Sequence, residues 1–178
     1  LLDPEARTVA PTNYGKLREP VIRFANMLRA LNAKSKNGRN AIHYLDSSDN
    51  GLGQSPLLAP SVFNFYSPNY RMPGPIAQAS LYSPEFQITT ETTVVGSLNF
   101  FADLFNSGGY GWDDSRLELD FKTLESQAAT PETLVNTLDA LFCNYQMRSA
   151  LRNRLLTLIQ AYPADEPVTS EYRQDEIT

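Results

Sequence analysis

Residues 54–75, here called the proline segment, constrain the fold more than any other part of the chain. They include five of the twelve prolines, four aromatic residues and a single charge, Arg71. Proline fixes φ and removes a backbone donor, so the segment cannot form a regular helix or a central strand. Its five large apolar residues would each forgo about 1.5–3 kcal/mol in water; they are Leu57, Leu58, Val62, Phe63 and Phe65. We therefore predict an irregular segment that is buried across neighbouring helices.

The rest of the chain carries helical patterns. A helix is predicted to begin at Glu19-Pro20, because proline suits the first helical turn. A second begins at Thr90 or Thr92 and ends at Gly108. Its predicted buried stripe comprises Val94, Val95, Leu98, Phe101, Ala102 and Phe105. Residues 117–122 alternate between apolar and charged side chains, which indicates a marginal strand at most.

Two further helices are predicted near the C-terminus, beginning at Thr130-Pro131 and at about Met147. The joint between them is short, so we expect an antiparallel hairpin. Its predicted inner face comprises Leu134, Leu138, Leu141, Leu151, Leu155 and Leu158. The predicted fold class is all-α: an irregular multi-helix domain with long ordered loops over residues 1–162. An acidic tail, residues 163–178, has few apolar residues and is predicted to be mobile.

Composition and charge exclude several classes of function. A chain of 178 residues with 42% hydrophobic residues can bury one sizeable core. Its basic residues concentrate in the first 40 positions without interleaved aromatics, which argues against nucleic-acid binding. No run of 18 apolar residues occurs, so no membrane span is predicted. The single cysteine, Cys143, rules out an internal disulfide and is interpreted as a small buried hydrophobe.

Metal and catalytic motifs are weak in this sequence. Residues 46–51 match the first half of a calcium loop, but Leu57 replaces the bidentate acid at position 12. An ordinary polar turn is the better interpretation. The single histidine, His43, is interpreted as a structural hydrogen-bonding residue, because no serine occupies a G-x-S-x-G setting. One histidine and one cysteine cannot close a zinc site, so neither metal nor cofactor is predicted.

The loop at residues 107–116 is the candidate functional surface. Glycines make its backbone adaptable, Tyr110 and Trp112 offer flat rings, and Asp113 and Asp114 offer acceptors. This chemistry suits contact with a sugar or a peptide. Paired carboxylates also serve glycoside hydrolysis, but that reaction needs a set spacing across a cleft. The alternative is that Trp112 packs inward as a core residue.

Several stretches in order along the chain carry a family resemblance. They read LLDPEAR, YGKLREPVIR, GQSPLLAPSVFNFYSPNY, SPEFQI and TPETLVNTLDALF. Together they resemble the C-terminal part of the bacterial domain-of-unknown-function family eighteen-hundred. The resemblance implies a longer, largely helical protein with an N-terminal half and a closing helix after Thr178. It also implies an export signal and a phosphatase/sulfatase-like partner encoded nearby, but it supplies no catalytic residues.

Together these features favour a non-catalytic interaction module of an exported bacterial protein that acts with a partner protein. The resemblance alone implies a periplasmic or secreted location. A glycan is a possible ligand of the loop. The competing hypothesis is an extracytoplasmic hydrolase, acting on a glycan or an ester, whose site is shared with the N-terminal half. Convergent polar groups near His43 or Asp113 would indicate the hydrolase, and an exposed apolar patch would indicate the module.

Overall fold

The computed structural model describes residues 17–161, in which helices dominate. The six α-helices are α1 (Pro20–Ala30), α2 (Pro75–Gln78), α3 (Glu91–Ser107), α4 (Lys122–Glu125), α5 (Pro131–Leu138) and α6 (Ser149–Ala161). Two 3₁₀ helices span Pro84–Ile88 and Asp113–Ser115, and a π-helical turn spans Asp139–Cys143. A small sheet has the order β1-β3-β2, with β1 at Lys34–Ser35, β2 at Gly109–Tyr110 and β3 at Leu117–Glu118. The prediction that helices dominate the fold is therefore confirmed, but the small sheet was not predicted. The predicted tail lies outside the described residues.

Helix ends follow local sequence signals. Thr90 and Thr93 form a reciprocal capping box at the start of α3, and Gly108 ends this helix with φ 72°. Pro131 opens α5 as predicted, although the Thr130 side chain makes no capping hydrogen bond. Asn144 ends the π-helical turn in the left-handed region, where the predicted break occurs.

The chain divides into two compact units. Within residues 17–161, the first comprises residues 17–26 and Ser35–Leu117, and its core is aromatic. The Phe24 ring is fully buried and meets the rings of Phe100 and Tyr110 edge-on, each at a centroid distance of 5.2 Å. Four buried leucines complete this core: Leu45, Leu52, Leu104 and Leu117. The core thus joins α1 and α3 to the loops that precede and follow α3.

The second unit comprises Met27–Lys34 and residues 118–161 of the described range. Its buried apolar residues are Met27, Leu28, Leu31 and Val135. Helices α5 and α6 contact one another, and Arg152 donates a 2.6 Å hydrogen bond to Asn136 Oδ1. The antiparallel hairpin stays a prediction.

The predicted inner face of that hairpin is only partly correct. Leu134, Leu138 and Leu155 are half-buried, whereas Leu141, Leu151 and Leu158 are exposed. The π-helical turn begins at Asp139. A π turn takes more residues per turn than an α-helix, so it rotates Leu141 away from the stripe of α5.

The proline segment is exposed, so the prediction that it is buried was wrong. The exposed fraction is 101% for Leu57, 94% for Val62 and 79% for Phe63. Three successive turns pair its backbone locally, through the hydrogen bonds Leu58 N–H to Ser55 O, Asn64 N–H to Ser61 O and Tyr70 N–H to Ser67 O. These turns satisfy three backbone N–H groups within the segment, so the backbone at those positions needs no partner from a neighbouring helix.

The buried face of α3 also differs from the predicted stripe. It consists of Gly96, Ser97, Phe100 and Leu104, whereas Val95 and Leu98 are 58% and 66% exposed. A Cβ added at Gly96 would overlap the carbonyl oxygen of Ser48. Because Gly96 has no side chain, the turn at residues 46–51 packs directly on α3. The face of α3 that carries Gly96 is therefore the buried one. None of the helices between residues 17 and 161 is long and apolar enough to cross a membrane.

Candidate functional site

Two loops of the first unit bring three exposed rings together, and we call His43, Tyr44 and Trp112 the aromatic cluster. The rings of Tyr44 and Trp112 stack at a centroid distance of 5.7 Å and an interplanar angle of 28°. His43 lies 6.0 Å from Trp112 and 6.1 Å from Tyr44. Tyr44 is 74% exposed and Trp112 is 51% exposed. Trp112 is thus a surface residue and not the inward core anchor of the alternative interpretation.

The backbone of the cluster is strained at Tyr44, and the neighbouring Asp113 also has a positive φ, which aspartate tolerates. Tyr44 has φ 55° and Asp113 has φ 51°, both in the left-handed region. For a bulky residue such as Tyr44 this conformation is a true outlier, which persists only where the surrounding structure enforces it. Leu45, directly after Tyr44, is 1% exposed, and its carbonyl oxygen accepts hydrogen bonds from Leu52 and Gln54. The buried neighbour therefore holds Tyr44 in its exposed position.

Arg116 holds the Trp112 loop from the other side. Its guanidinium donates to the carbonyl oxygens of Ser107 at 2.6 Å and Gly111 at 3.2 Å. Its backbone N–H donates to the carbonyl of Asp113. These bonds fix both ends of the glycine-rich loop, which presents Trp112 on an ordered backbone.

Tyr110 lies beneath the cluster and belongs to the core. Its half-buried ring packs on Phe24 and Phe100. Burial raises the pKa of Tyr110, a hydrogen bond with the backbone of His43 lowers it, and the charge of Asp46 raises it. Tyr110 therefore connects the cluster to the core, while Trp112 presents its ring at the surface.

The two predicted carboxylates, Asp113 and Asp114, directly follow Trp112 in the chain, and both are exposed. Asp114 forms an ion pair with Lys36 at 3.3 Å, and both side chains are more than two-thirds exposed. Such an exposed pair contributes about 0–1 kcal/mol to stability. A ligand can therefore replace Lys36 as the partner of Asp114. No ion pair involves Asp113 within residues 17–161. The cluster thus combines flat rings with accessible acceptors.

Sequence reasoning missed Tyr44 and assigned His43 a different role. The His43 imidazole is exposed against Trp112 and makes no hydrogen bond with a described residue, so it is not the structural histidine that the sequence indicated. The sequence feature that could have indicated an exposed site is the pair His43-Tyr44 immediately before a polar turn. Their proximity to Trp112 follows from the tertiary fold.

The other sequence candidates do not assemble into a reactive centre. In the turn at residues 46–51, Ser47 Oγ accepts hydrogen bonds from the N–H groups of Asp49 and Asn50. Within residues 17–161 no three His, Cys, Asp or Glu side chains are grouped as a metal site. Burial raises the pKa of Cys143, and the charge of Asp139 raises it further. Because the thiolate is the nucleophile, Cys143 is a poor one at neutral pH.

Comparison with protein-family models gives a match over most of the chain. The model of a family described as "Protein of unknown function (DUF1800)" matches residues 1–173. Neither the curated proteins nor the solved structures include a significant match.

Proposed function

The chain belongs to the DUF1800 family of proteins of unknown function, and we propose that it acts as a non-catalytic interaction module that binds a partner protein through the aromatic cluster. The observation that supports this function is the stacked, exposed pair Tyr44–Trp112, in which Tyr44 is held with a strained backbone. Exposed tryptophan and tyrosine are the residues that most often dominate binding free energy at protein interfaces. An exposed aromatic pair held at a cost in backbone strain favours a binding role.

The arrangement of the rings suits recognition better than chemistry. Their few rotatable bonds mean that ordering them on binding costs little entropy. Asp113 and Asp114 sit beside the rings and can accept hydrogen bonds from a partner's amides or hydroxyls. A hydrolase would need a base within hydrogen-bond reach of a nucleophile. The imidazole of His43 makes no such bond within the described part of the chain.

The family resemblance supplies the partner and the compartment in this proposal. The partner is a phosphatase/sulfatase-like protein encoded nearby, and the two proteins meet in the periplasm or outside the cell. The rings and carboxylates would also suit a glycan, which makes a glycan the second ligand to test.

The test is binding of the full-length protein to its phosphatase/sulfatase-like neighbour, measured by titration calorimetry. Trp112→Ala and Tyr44→Ala should each weaken binding about 30-fold or more, the effect of a hot-spot residue of about 2 kcal/mol. Tyr145→Ala is the matched control, because Tyr145 is 78% exposed with φ 60° and lies outside the cluster. Trp112 is the single tryptophan of the 178 residues, so in a titration of this chain with a soluble oligosaccharide its fluorescence reports occupancy of the cluster.

Three results would contradict the proposal. The first is unchanged affinity of both cluster variants, which would place the contact elsewhere. The second is binding of a soluble oligosaccharide that is lost in Trp112→Ala, with no binding of the partner, which would assign the cluster to a glycan. The third is ester or glycoside hydrolysis by the full-length protein that is lost in His43→Ala, which would favour the hydrolase.

A further inference from the structure

A small cleft in the first unit lies between the start of α1 and α3. Its volume is about 120 Å³, and its walls include Arg23, Ile88, Val94 and Leu98. A cavity of this size holds a group of a few non-hydrogen atoms. Thr89 and Thr93 also line it, but their hydroxyls donate to the carbonyl oxygens of Glu85 and Ile88. The remaining polar residues of the lining are Ser97 and Arg23, and Arg23 carries the charge.

Arg23 has an unsatisfied donor. Its Nε is buried and makes no hydrogen bond within the described part of the chain. Burial lowers the pKa of Arg23, yet a guanidinium remains charged in proteins. Glu19, the acid one helical turn earlier, already accepts hydrogen bonds from Gln54 and Tyr66. The guanidinium of Arg23 thus has no acidic partner among residues 17–161, and a carboxylate in the cleft would supply one.

The surface beside the cleft is apolar and exposed. Val94, Val95 and Leu98 are 43%, 58% and 66% exposed along α3. This is the apolar stripe that the sequence predicts to be buried. Since Val95 lies outside the cleft lining, the apolar surface extends beyond the space that a small carboxylate could fill. A ligand that covers all three side chains must be larger than the cleft.

We propose that this cleft and the exposed stripe of α3 form a docking site for a partner protein segment that presents an acidic side chain between apolar residues. The carboxylate enters the cleft and pairs with the guanidinium of Arg23. The apolar neighbours cover Val94, Val95 and Leu98. Charge complementarity thus selects the acid, and apolar burial supplies affinity. The site shares no residue with the aromatic cluster, so it stands or falls independently of the proposed function.

The test uses two blocked tripeptides, acetyl-Leu-Glu-Leu-amide and its neutral isostere acetyl-Leu-Gln-Leu-amide, titrated into the full chain. Nitrogen-15 NMR follows the arginine Nε–H resonances. The glutamate peptide should bind at least tenfold tighter and shift the Arg23 resonance. Arg23→Leu should abolish the preference for the glutamate peptide. Arg29→Leu is the matched control, because Arg29 is exposed on the same helix and its loss should leave the preference intact.

A second variant protects the test against misfolding. Arg23→Lys keeps the charge but removes the planar guanidinium that can pair with both carboxylate oxygens, so the preference should fall while the fold is retained. Equal binding of the two peptides, or no movement of the Arg23 resonance up to saturating peptide, would overturn the proposal. Butyrate that binds as tightly as the glutamate peptide would also overturn it, because the ligand would then be a free carboxylate. Trp112→Ala should leave the peptide preference unchanged.

Discussion

Tyr66 donates its hydroxyl hydrogen to a carboxylate oxygen of Glu19 at 2.9 Å. Gln54 Nε2 donates to the same oxygen at 2.6 Å, while Gln54 Oε1 accepts from the N–H of Val21 in the first turn of α1. The proline segment is therefore attached to the start of α1 by polar bonds at Gln54 and Tyr66. Between these points Leu57, Leu58, Val62 and Phe63 are exposed, whereas Phe65 is half-buried. This relationship explains how an exposed segment keeps a defined path.

The Glu19–Tyr66 bond predicts a pH dependence of stability at alkaline pH. Burial, the hydrogen bond with Glu19 and the charges of Glu19 and Glu85 raise the pKa of Tyr66 from 10.0 to about 12. Because the folded pKa lies above the unfolded value, the stabilisation is complete below pH 10 and is lost as pH rises towards 12. We expect the free energy of unfolding to fall more steeply over this range in the native chain than in Tyr66→Phe. Urea unfolding at several pH values measures this difference.

The control for that measurement is Tyr145→Phe, which removes the hydroxyl of an exposed tyrosine in the second unit. Its pH profile should follow that of the native chain. Parallel profiles for the native chain and Tyr66→Phe would show that the hydrogen bond with Glu19 does not stabilise the fold.

Gly96→Ala should destabilise the protein even though alanine favours helix by about 1 kcal/mol. The new Cβ would overlap the backbone carbonyl of Ser48, so the turn at residues 46–51 must move away from α3. Overpacking of this kind costs about 1–3 kcal/mol. Asn99→Ala, at an exposed position of the same helix, should be neutral or stabilising. Chemical denaturation compares the two variants, and a stabilised Gly96→Ala would refute the close approach.

Phe63→Ala should change the free energy of unfolding by less than about 0.5 kcal/mol, as is usual for surface substitutions. The ring is 79% exposed, so truncation removes little buried area. If the segment were buried, as its composition suggests, the loss would be about 3–5 kcal/mol. A thermal or urea melt separates these values clearly.

Trp112→Ala should cost much less stability than Phe24→Ala. Trp112 is half exposed and contacts two exposed rings, whereas Phe24 is fully buried in the aromatic core. We expect a loss below about 1–2 kcal/mol for Trp112 and of about 3–5 kcal/mol for Phe24. Comparable losses for the two variants in the same denaturation assay would mean that Trp112 is a core residue.

The sequence by itself determined the local structure and the chemistry of one loop. The start of α3 next to Thr90, the start of α5 at Pro131 and the end of α3 at Gly108 were predictable, because each depends on backbone groups a few residues apart. The capping box between Thr90 and Thr93 was not predicted. The loop at residues 107–116 was identified from its glycines, rings and acids. The family followed from stretches spread over the whole chain.

The tertiary structure alone decided which surfaces are buried and which rings meet. Apolar content predicted that Phe63 and Leu98 are buried, yet the fold exposes both. In the proline segment, local turns pair three backbone N–H groups. In α3, the close approach of the turn at residues 46–51 to Gly96 determines which face of the helix is buried. Tyr44 and Trp112 come from distant parts of the chain and stack because the core beneath them joins their loops. Periodicity reports how apolar a face is, but only long-range contacts determine what that face packs against.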